Sequence, residues 1–275
     1  MKKIIITLAF TVAFTACKES DKIAETKANT ETEKVETVEK PSANTFTRSI
    51  ENAHQKVTFL KNDAVSYDFK VSFGDNTLFD GKITQKTDGT MIRMDDKDNG
   101  VIIFDGNKVY ANSADMASNP MTRFHIFTWT YFFAMPYKLN DPGTIWTDEE
   151  MLSFANTKYP TSKLTFKEGI GDTSEDWYIV YKDPKTNVLD GVAYIVSFGK
   201  ELEEAEAAPH FAKYNDLTVV DGVPFATNWT FHNWNKEDGF TDQIGEAQLS
   251  NIEFITPSEY TFYRPANALE VPMVK

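Results

Sequence analysis

The hydrophobic and polar positions of this chain fall into three consecutive stretches with different patterns. Residues 1–17 are apolar behind two lysines, residues 18–44 are polar without a single aromatic residue, and residues 45–275 alternate between apolar runs and turn residues. Most runs in the third stretch have a period of two, which is typical of strands buried on one side. We therefore divide the chain into a leader, 1–17, a polar tether, 18–44, and a single domain, 45–275.

The period-two runs predict about a dozen strands joined by short turns. Asp-Gly and Asn-Gly pairs separate many of them and supply the positive φ angles that tight hairpins need. A large sheet twists and curls, which leaves a concave face to be covered. The pattern predicts a mainly β (α+β) fold, a large curved antiparallel sheet wrapped around two or three helices. The predicted strands are 65–73, 78–85, 91–95, 101–104, 108–111, 144–146, 163–167, 177–181, 193–198, 210–220, 224–234 and 248–255.

One segment is far more apolar than the others and lies between the two groups of predicted strands. Six of the ten residues 124–133 are Phe, Trp or Tyr. With period two the segment would be a strand, and with period 3.6 a helix that is apolar almost all round. Its ends favour the helix, because Ser118 and Asn119 are good N-cap residues, Pro120 suits the first turn and Pro136 is expected to stop the helix. Such a helix must be enclosed, so we expect it to fill the concave face of the sheet.

A shorter amphipathic helix is predicted where the domain begins. Ser49 or Thr47 would cap this helix. His54 lies beside its apolar face, either as a hydrogen-bonded histidine at the edge of the core or as a ligand contact. Four apolar residues share that face: Ile50, Ala53, Val57 and Leu60.

Residues 1–17 have the features of a secretory signal, since Lys2 and Lys3 precede an apolar run that is too short to anchor in a bilayer. The ending Phe14-Thr15-Ala16-Cys17 resembles the lipobox of bacterial lipoproteins, with Phe14 where most members have Leu. This resemblance implies that Cys17 is lipidated and anchors the protein in the envelope of a Gram-negative bacterium. We expect the outer membrane, on its periplasmic or its surface side. An ordinary signal peptide that leaves a free thiol is the alternative.

Composition and net charge limit the kinds of molecule and surface that the protein is expected to bind. Residues 18–44 are too polar to offset the entropy of ordering them, so we expect a flexible tether. The net charge is −13, and the charges of residues 1–44 cancel, so the domain carries all of it. This charge opposes binding to nucleic acids and to anionic membrane surfaces. An acyl chain on Cys17, and not a basic patch, would therefore attach the protein to a membrane.

The sequence contains no complete catalytic or metal-binding signature. Gly169 and Gly171 follow a predicted strand as in a dinucleotide loop, but Ser174 replaces the last glycine. No G-x-S-x-G elbow occurs, and the four histidines show no i, i+4 pair. The acidic run 95–100 lacks ligands at the EF-hand positions and is interpreted as a charged hairpin tip. Cys17 is the only cysteine, which excludes disulfides within the chain. We expect a protein that is not an enzyme and needs no metal or cofactor.

Four short motifs resemble the lipoprotein-localisation-factor superfamily, which is LolA/LolB-like. They are Ala53-His54, the aromatic run 127–133, Leu139-Asn140-Asp141-Pro142-Gly143 and Asp221-Gly222-Val223-Pro224. The likeness spans roughly residues 45–262 and implies a half-barrel sheet closed by helices around an apolar cavity that accepts acyl chains. It does not extend to the arginine or the loop leucine with which the founding members release their cargo.

Two functions of different classes follow. The first is an anchored, non-catalytic protein whose cavity binds a lipid or another hydrophobic molecule. The second is a surface glycan-binding protein or a structural subunit of an envelope complex, in which Phe231, Trp234 and Phe240 would stack on sugar rings. Each candidate ring of the cavity could instead simply pack in the core. The candidate cavity wall is Phe127, Trp129, Tyr131 and Phe133 on the helix, with Phe69, Val71 and Phe73 opposite.

Overall fold

A computed structural model describes residues 45–154 and 156–273. The predicted leader, the tether and the lipid anchor on Cys17 lie outside these residues. The helices are α1 (Thr45–Ala53), α2 (Lys56–Phe59), α3 (Ala114–Ser118), α4 (Met121–Lys138) and α5 (Leu202–Glu206). The strands are β1 (Ala64–Phe73), β2 (Asn76–Lys86), β3 (Ile92–Asp96), β4 (Gly100–Phe104), β5 (Val109–Ala111), β6 (Thr144–Trp146), β7 (Glu150–Phe154), β8 (Thr157–Phe166), β9 (Tyr178–Lys182), β10 (Leu189–Tyr194), β11 (His210–Val220), β12 (Val223–Asn235), β13 (Gly239–Ile255) and β14 (Leu269–Val271).

All fourteen strands of the described residues belong to one antiparallel sheet. Its order is β14-β5-β4-β3-β2-β1-β13-β12-β11-β10-β9-β8-β6, and β7 pairs with β8 beside β6. The first strand therefore lies in the middle, paired with β2 on one side and β13 on the other. The sheet is open and curved, which confirms the predicted mainly β (α+β) architecture. Only β7 and β14 have no counterpart among the predicted strands, and β13 begins nine residues earlier than predicted.

The aromatic segment is a helix, α4, which lies against the concave face of the sheet. Its inner face carries Trp129, Phe132 and Phe133, all nearly inaccessible to solvent. The ring of Phe133 stacks on Tyr67 of β1, with 4.1 Å between ring centroids. Although α4 has 18 residues, none of the described helices combines the length and hydropathy that crossing a membrane requires. The helix reading was right, and the strand reading of this segment was wrong.

Pro136 does not end α4, contrary to prediction, since the helix continues to Lys138. A proline inside a helix removes the amide that would bond to the carbonyl four residues earlier, here that of Phe132. The hydroxyl of Tyr214, on β11, donates a hydrogen bond to this carbonyl oxygen at 2.9 Å. A tertiary contact thus replaces the missing helical bond, and the helix continues past the proline.

The opening helix was predicted as one unit, but the structure divides it. Gln55 has a φ of 57°, a left-handed conformation that no helix interior accommodates, and it separates α1 from α2. The break rotates the second half, so that Val57 is 71% exposed and Leu60 is 45% exposed. Phe59 is buried in their place and stacks on Tyr137 at 3.8 Å between ring centroids.

Phe231, Trp234 and Phe240 do not form the exposed aromatic platform that a glycan site needs. Phe231 is buried in the main core, and Trp234 is buried in a second cluster that Phe240 packs against. The indole nitrogen of Trp234 donates to the hydroxyl of Tyr181 at 3.0 Å. These rings pack against protein, and the stacking surface expected for the glycan reading is not present at this place.

His54 is buried, and its Nε2 accepts a hydrogen bond from the backbone N–H of Leu189 at 3.0 Å. This contact favours the packing interpretation of His54. Burial lowers the pKa of His54 to about 4, because the charged imidazolium would lose its hydration. Burial also lowers the pKa of His125, to about 4, where Nδ1 accepts from the indole nitrogen of Trp129.

These histidines make folding stability dependent on pH. The unfolded chain takes up a proton at His54 near pH 6.5, and the folded chain does so only near pH 4, so stability is lost as the pH falls between these values. For His54 alone the loss is about 3 kcal/mol. We expect His54→Gln to unfold more easily at pH 7 and to show a correspondingly smaller difference between pH 7 and pH 4 in urea denaturation. An unchanged difference would contradict the assignment.

Candidate ligand-binding groove

The outer face of α4 forms the floor of a groove with a volume of about 490 Å³. Residues spaced by three or four positions share a helix face, so Arg123, Phe127, Tyr131, Ala134 and Lys138 follow one another along this floor. From Arg123 to Lys138 the helix rises about 22 Å, at 1.5 Å per residue. The groove is therefore long and narrow.

The walls of the groove come from the two ends of the curved sheet. One wall contains Ile92 of β3 and Phe104 of β4, and the other contains Phe166 of β8 and Tyr178 of β9. The edge of the Phe104 ring contacts Phe127, with 5.1 Å between centroids. Because the sheet is open, its ends flank α4 without meeting, and the space between them remains accessible. Most of the exposed lining surface is apolar, the charged groups lie toward the ends, and Thr128 and Thr130 lie on the floor between them.

Two of the seven predicted wall residues line this groove, namely Phe127 and Tyr131. The other five lie on the far side of α4 or on the strands beneath it. Trp129 and Phe133 are two positions away from the groove-facing residues, and in a helix this spacing turns a side chain toward the opposite face. They pack against the sheet. The five residues outside the groove lining are Phe69, Val71, Phe73, Trp129 and Phe133.

Arg123 closes one end of the groove. Its Nε and one terminal nitrogen donate to both carboxylate oxygens of Asp172, in the β8–β9 loop, at 2.6 and 2.8 Å. The other terminal nitrogen donates to the carbonyl of Val271 in β14 at 3.4 Å. The side chain of Arg123 is 8% exposed and that of Asp172 is 16% exposed. This one guanidinium thus joins α4 to both ends of the sheet.

Lys138 and Asp141 occupy the other end. The ammonium of Lys138 lies 2.7 Å from the carboxylate of Asp141 and 3.5 Å from the carbonyl oxygen of Asp88. Asp176 also lines the groove, where it accepts hydrogen bonds from the backbone N–H and the hydroxyl of Ser197. The described lining residues therefore include three carboxylates and two cations, and each cation forms an ion pair with one of the carboxylates.

Tyr131 lines the middle of the groove and carries a hydroxyl with aromatic neighbours. Its hydroxyl is buried and has no hydrogen-bond partner among the described residues. The surrounding groups are aromatic, since Tyr178 and Phe166 lie 5.6 and 6.3 Å from it between ring centroids. Burial, with a smaller contribution from the charge of Asp141, raises the pKa of Tyr131 well above its usual value. The phenol therefore remains a hydrogen-bond donor at all physiological pH values.

Arg123, Lys138, Asp141 and Asp172 were not identified from the sequence as site residues. Arg123, Phe127 and Tyr131 are spaced by four residues, so helical periodicity alone could have placed these three side chains on one face of α4. The pairing of Arg123 with Asp172, 49 positions along the chain, has no signal in the sequence pattern. In the described residues, no group of three or more His, Cys, Asp and Glu side chains is arranged to hold a metal ion.

Comparisons with known proteins bear on the fold. A family model described as "Family of unknown function (DUF6503)" matches residues 76–214. The crystal structure of a LolA superfamily protein from Nitrosomonas europaea is similar at 10% identity, with a TM-score of 0.51, over 79% of this chain and 97% of that one. A DUF1329 family protein from Desulfovibrio piger is similar at 12% identity, with a TM-score of 0.47, over 78% and 96%. No curated protein sequence matches the chain.

Proposed function

Since the chain belongs to the DUF6503 family and its fold is LolA-like, we propose that it binds a lipid or another hydrophobic molecule in the groove along α4, without catalysis. The family has no known function, and the structural similarity supports the fold alone. The proposal therefore depends on the geometry of the groove. Its volume of about 490 Å³ falls within the range of about 300–1,000 Å³ that is usual for small-molecule sites.

The single observation that carries the proposal is the unequal filling of the two faces of α4. The inner face is closely packed, with Trp129 and Phe132 among the buried core residues. The outer face carries Phe124, Phe127 and Tyr131, which are only partly buried and border the open groove. Apolar rings that a folded chain leaves uncovered along a concave channel gain free energy when an apolar ligand removes them from water.

We also propose that the protein works at the envelope membrane of a Gram-negative bacterium, attached through an acyl chain on Cys17. The lipobox-like ending of the leader, Phe14-Thr15-Ala16-Cys17, supports this attachment. The domain carries the net charge of −13, which repels anionic headgroups. Attachment through a lipid therefore fits the domain better than adsorption through its surface. Mass spectrometry of the membrane-purified protein tests this assignment, because a diacylated N-terminal Cys17 has a distinctive mass.

Filling the groove should abolish ligand binding. Thr128 lies on the groove face of α4, so Thr128→Trp would place an indole in the channel. We expect native mass spectrometry of the wild-type protein from membranes to show a bound lipid in addition to the anchor. We expect Thr128→Trp to lose it. Met121→Trp is the matched control, because Met121 is an exposed residue of the same helix outside the groove lining.

Two results would contradict the proposal. The first is a wild-type protein with no bound mass beyond its anchor, together with no binding of a neutral hydrophobic dye such as Nile red. The second is retention of the lipid by Thr128→Trp to the same extent as by Met121→Trp, since the ligand would then lie elsewhere. Circular dichroism of both variants establishes that they are folded.

A further inference from the structure

We infer that the groove selects an uncharged acyl ester, whose carbonyl oxygen accepts a hydrogen bond from Tyr131, over a free fatty acid or another anionic lipid. The inference rests on the proposed function and specifies the ligand. Two independent features of the groove carry it: the unpartnered hydroxyl of Tyr131 and the pairing of its cations.

The hydroxyl of Tyr131 specifies a hydrogen-bond acceptor on the ligand. A buried polar group without a partner is unfavourable, so native structures nearly always provide one. The described residues provide none for this hydroxyl, and the ring of Tyr131 that carries it borders the groove. A ligand that brings an acceptor to this point satisfies it, whereas a plain hydrocarbon leaves it unsatisfied. Burial keeps the phenol protonated, so it donates and does not repel an acceptor.

The surroundings of this hydroxyl specify a neutral acceptor flanked by apolar groups. The rings of Phe166 and Tyr178 border it on the side of β8 and β9. Ala134 follows on the helix floor toward Lys138, and Phe127 precedes it toward Arg123. Chain carbons must therefore continue on both sides of the acceptor. An ester carbonyl within a lipid has this arrangement, because an acyl chain leaves one side and an alcohol residue leaves the other.

The charges of the groove disfavour a carboxylate. Arg123 gives two of its three nitrogens to Asp172 and the third to the carbonyl of Val271. Lys138 is paired with Asp141. A fatty-acid carboxylate would have to displace one of these carboxylates, and it would face Asp176 as well. Each like charge opposes its entry, so an anion loses affinity where an uncharged ester does not.

Three ligands with the same C16 chain test the inference. Delipidated full-length protein is loaded with Nile red, and the dye is displaced at pH 8 with methyl palmitate, palmitate or hexadecane. We expect methyl palmitate to bind about tenfold more tightly than either of the others, which corresponds to one net hydrogen bond. Palmitate that binds as tightly as its ester overturns the inference. Displacement by none of the three overturns the proposed function instead, so the two failures are distinguishable.

Two variants test the two features separately. Tyr131→Phe removes only the hydroxyl, so we expect the affinity of methyl palmitate to fall to that of hexadecane, with hexadecane unchanged. Tyr260→Phe, at an exposed tyrosine, is the control. Asp141→Asn releases Lys138, so we expect palmitate to bind several-fold more tightly to this variant. An unchanged preference for the ester in Tyr131→Phe, or an unchanged palmitate affinity in Asp141→Asn, contradicts the corresponding half of the inference.

Discussion

Replacing Trp129 with alanine is expected to lower the free energy of unfolding by about 3 to 5 kcal/mol. Trp129 is 3% exposed, and its ring lies 6.0 Å from Phe69 and 5.9 Å from Phe231 between centroids. Removing the indole leaves a large cavity between α4 and the sheet that neither rigid element can close. Urea denaturation at pH 7 measures the loss directly, from the shift of the midpoint at constant slope.

Phe127→Ala is the matched variant on the other face of the same helix. Phe127 is only partly buried and borders the groove, so we expect a smaller loss of about 1 to 2 kcal/mol. The same variant should weaken ligand binding, which the loss of Trp129 affects only through the fold. Equal destabilisation by the two substitutions would show that α4 does not have one packed and one open face.

Asp172→Ala is expected to cost about 3 to 5 kcal/mol of unfolding free energy, because it leaves the buried guanidinium of Arg123 without its carboxylate. The loss should be accompanied by greater mobility of the β8–β9 loop and of β14, which Arg123 joins. Urea denaturation measures the first effect, and hydrogen exchange at the amides of both segments measures the second.

Two comparisons establish whether this cost comes from the buried charge. Lys236 and Glu150 form an exposed ion pair at 3.0 Å, so Glu150→Ala should cost less than about 1 kcal/mol. Replacing both partners, with Arg123→Met and Asp172→Leu together, should recover much of the stability, because no unpaired charge remains. A double variant that is as unstable as Asp172→Ala would mean that packing of the loop, and not charge, determines the effect.

The sequence pattern predicts the sheet well because each strand carries its own signal. Alternating residues define β1, β4, β11 and β12 to within two residues, and Asp-Gly or Asn-Gly turns flank the last three of these strands. β7 and β14 were missed for a physical reason: β14 has three residues, and β7 joins the sheet only through β8. Their own sequences contain too little alternation to indicate a strand.

The residues that form the floor of the groove could not be predicted, because apolar residues occupy nearly every side of α4. A helix that is apolar nearly all round gives no indication of which face meets the sheet, so Trp129 and Phe127 were equally good candidates. Their positions in the sequence do not determine which of the two faces the sheet. The way in which the sheet curves around α4 determines it. Pro136 shows the same limit, since the hydroxyl that compensates it comes from Tyr214, which lies 82 positions from the Phe132 carbonyl it bonds.

The open sheet also has a consequence for how the protein behaves when many copies are crowded together. An unpaired edge strand is a template on which a second chain can add, and this is a common start of aggregation. Here the edge strands are brief: β14 and β6 have three residues each, and β7 has five. The long strand β13, with 17 residues, lies inside the strand order, where β12 pairs with residues 239–248 and β1 pairs with residues 245–255. At the two ends of its strand order the sheet thus offers a neighbouring copy only short stretches of backbone on which a shared sheet could grow.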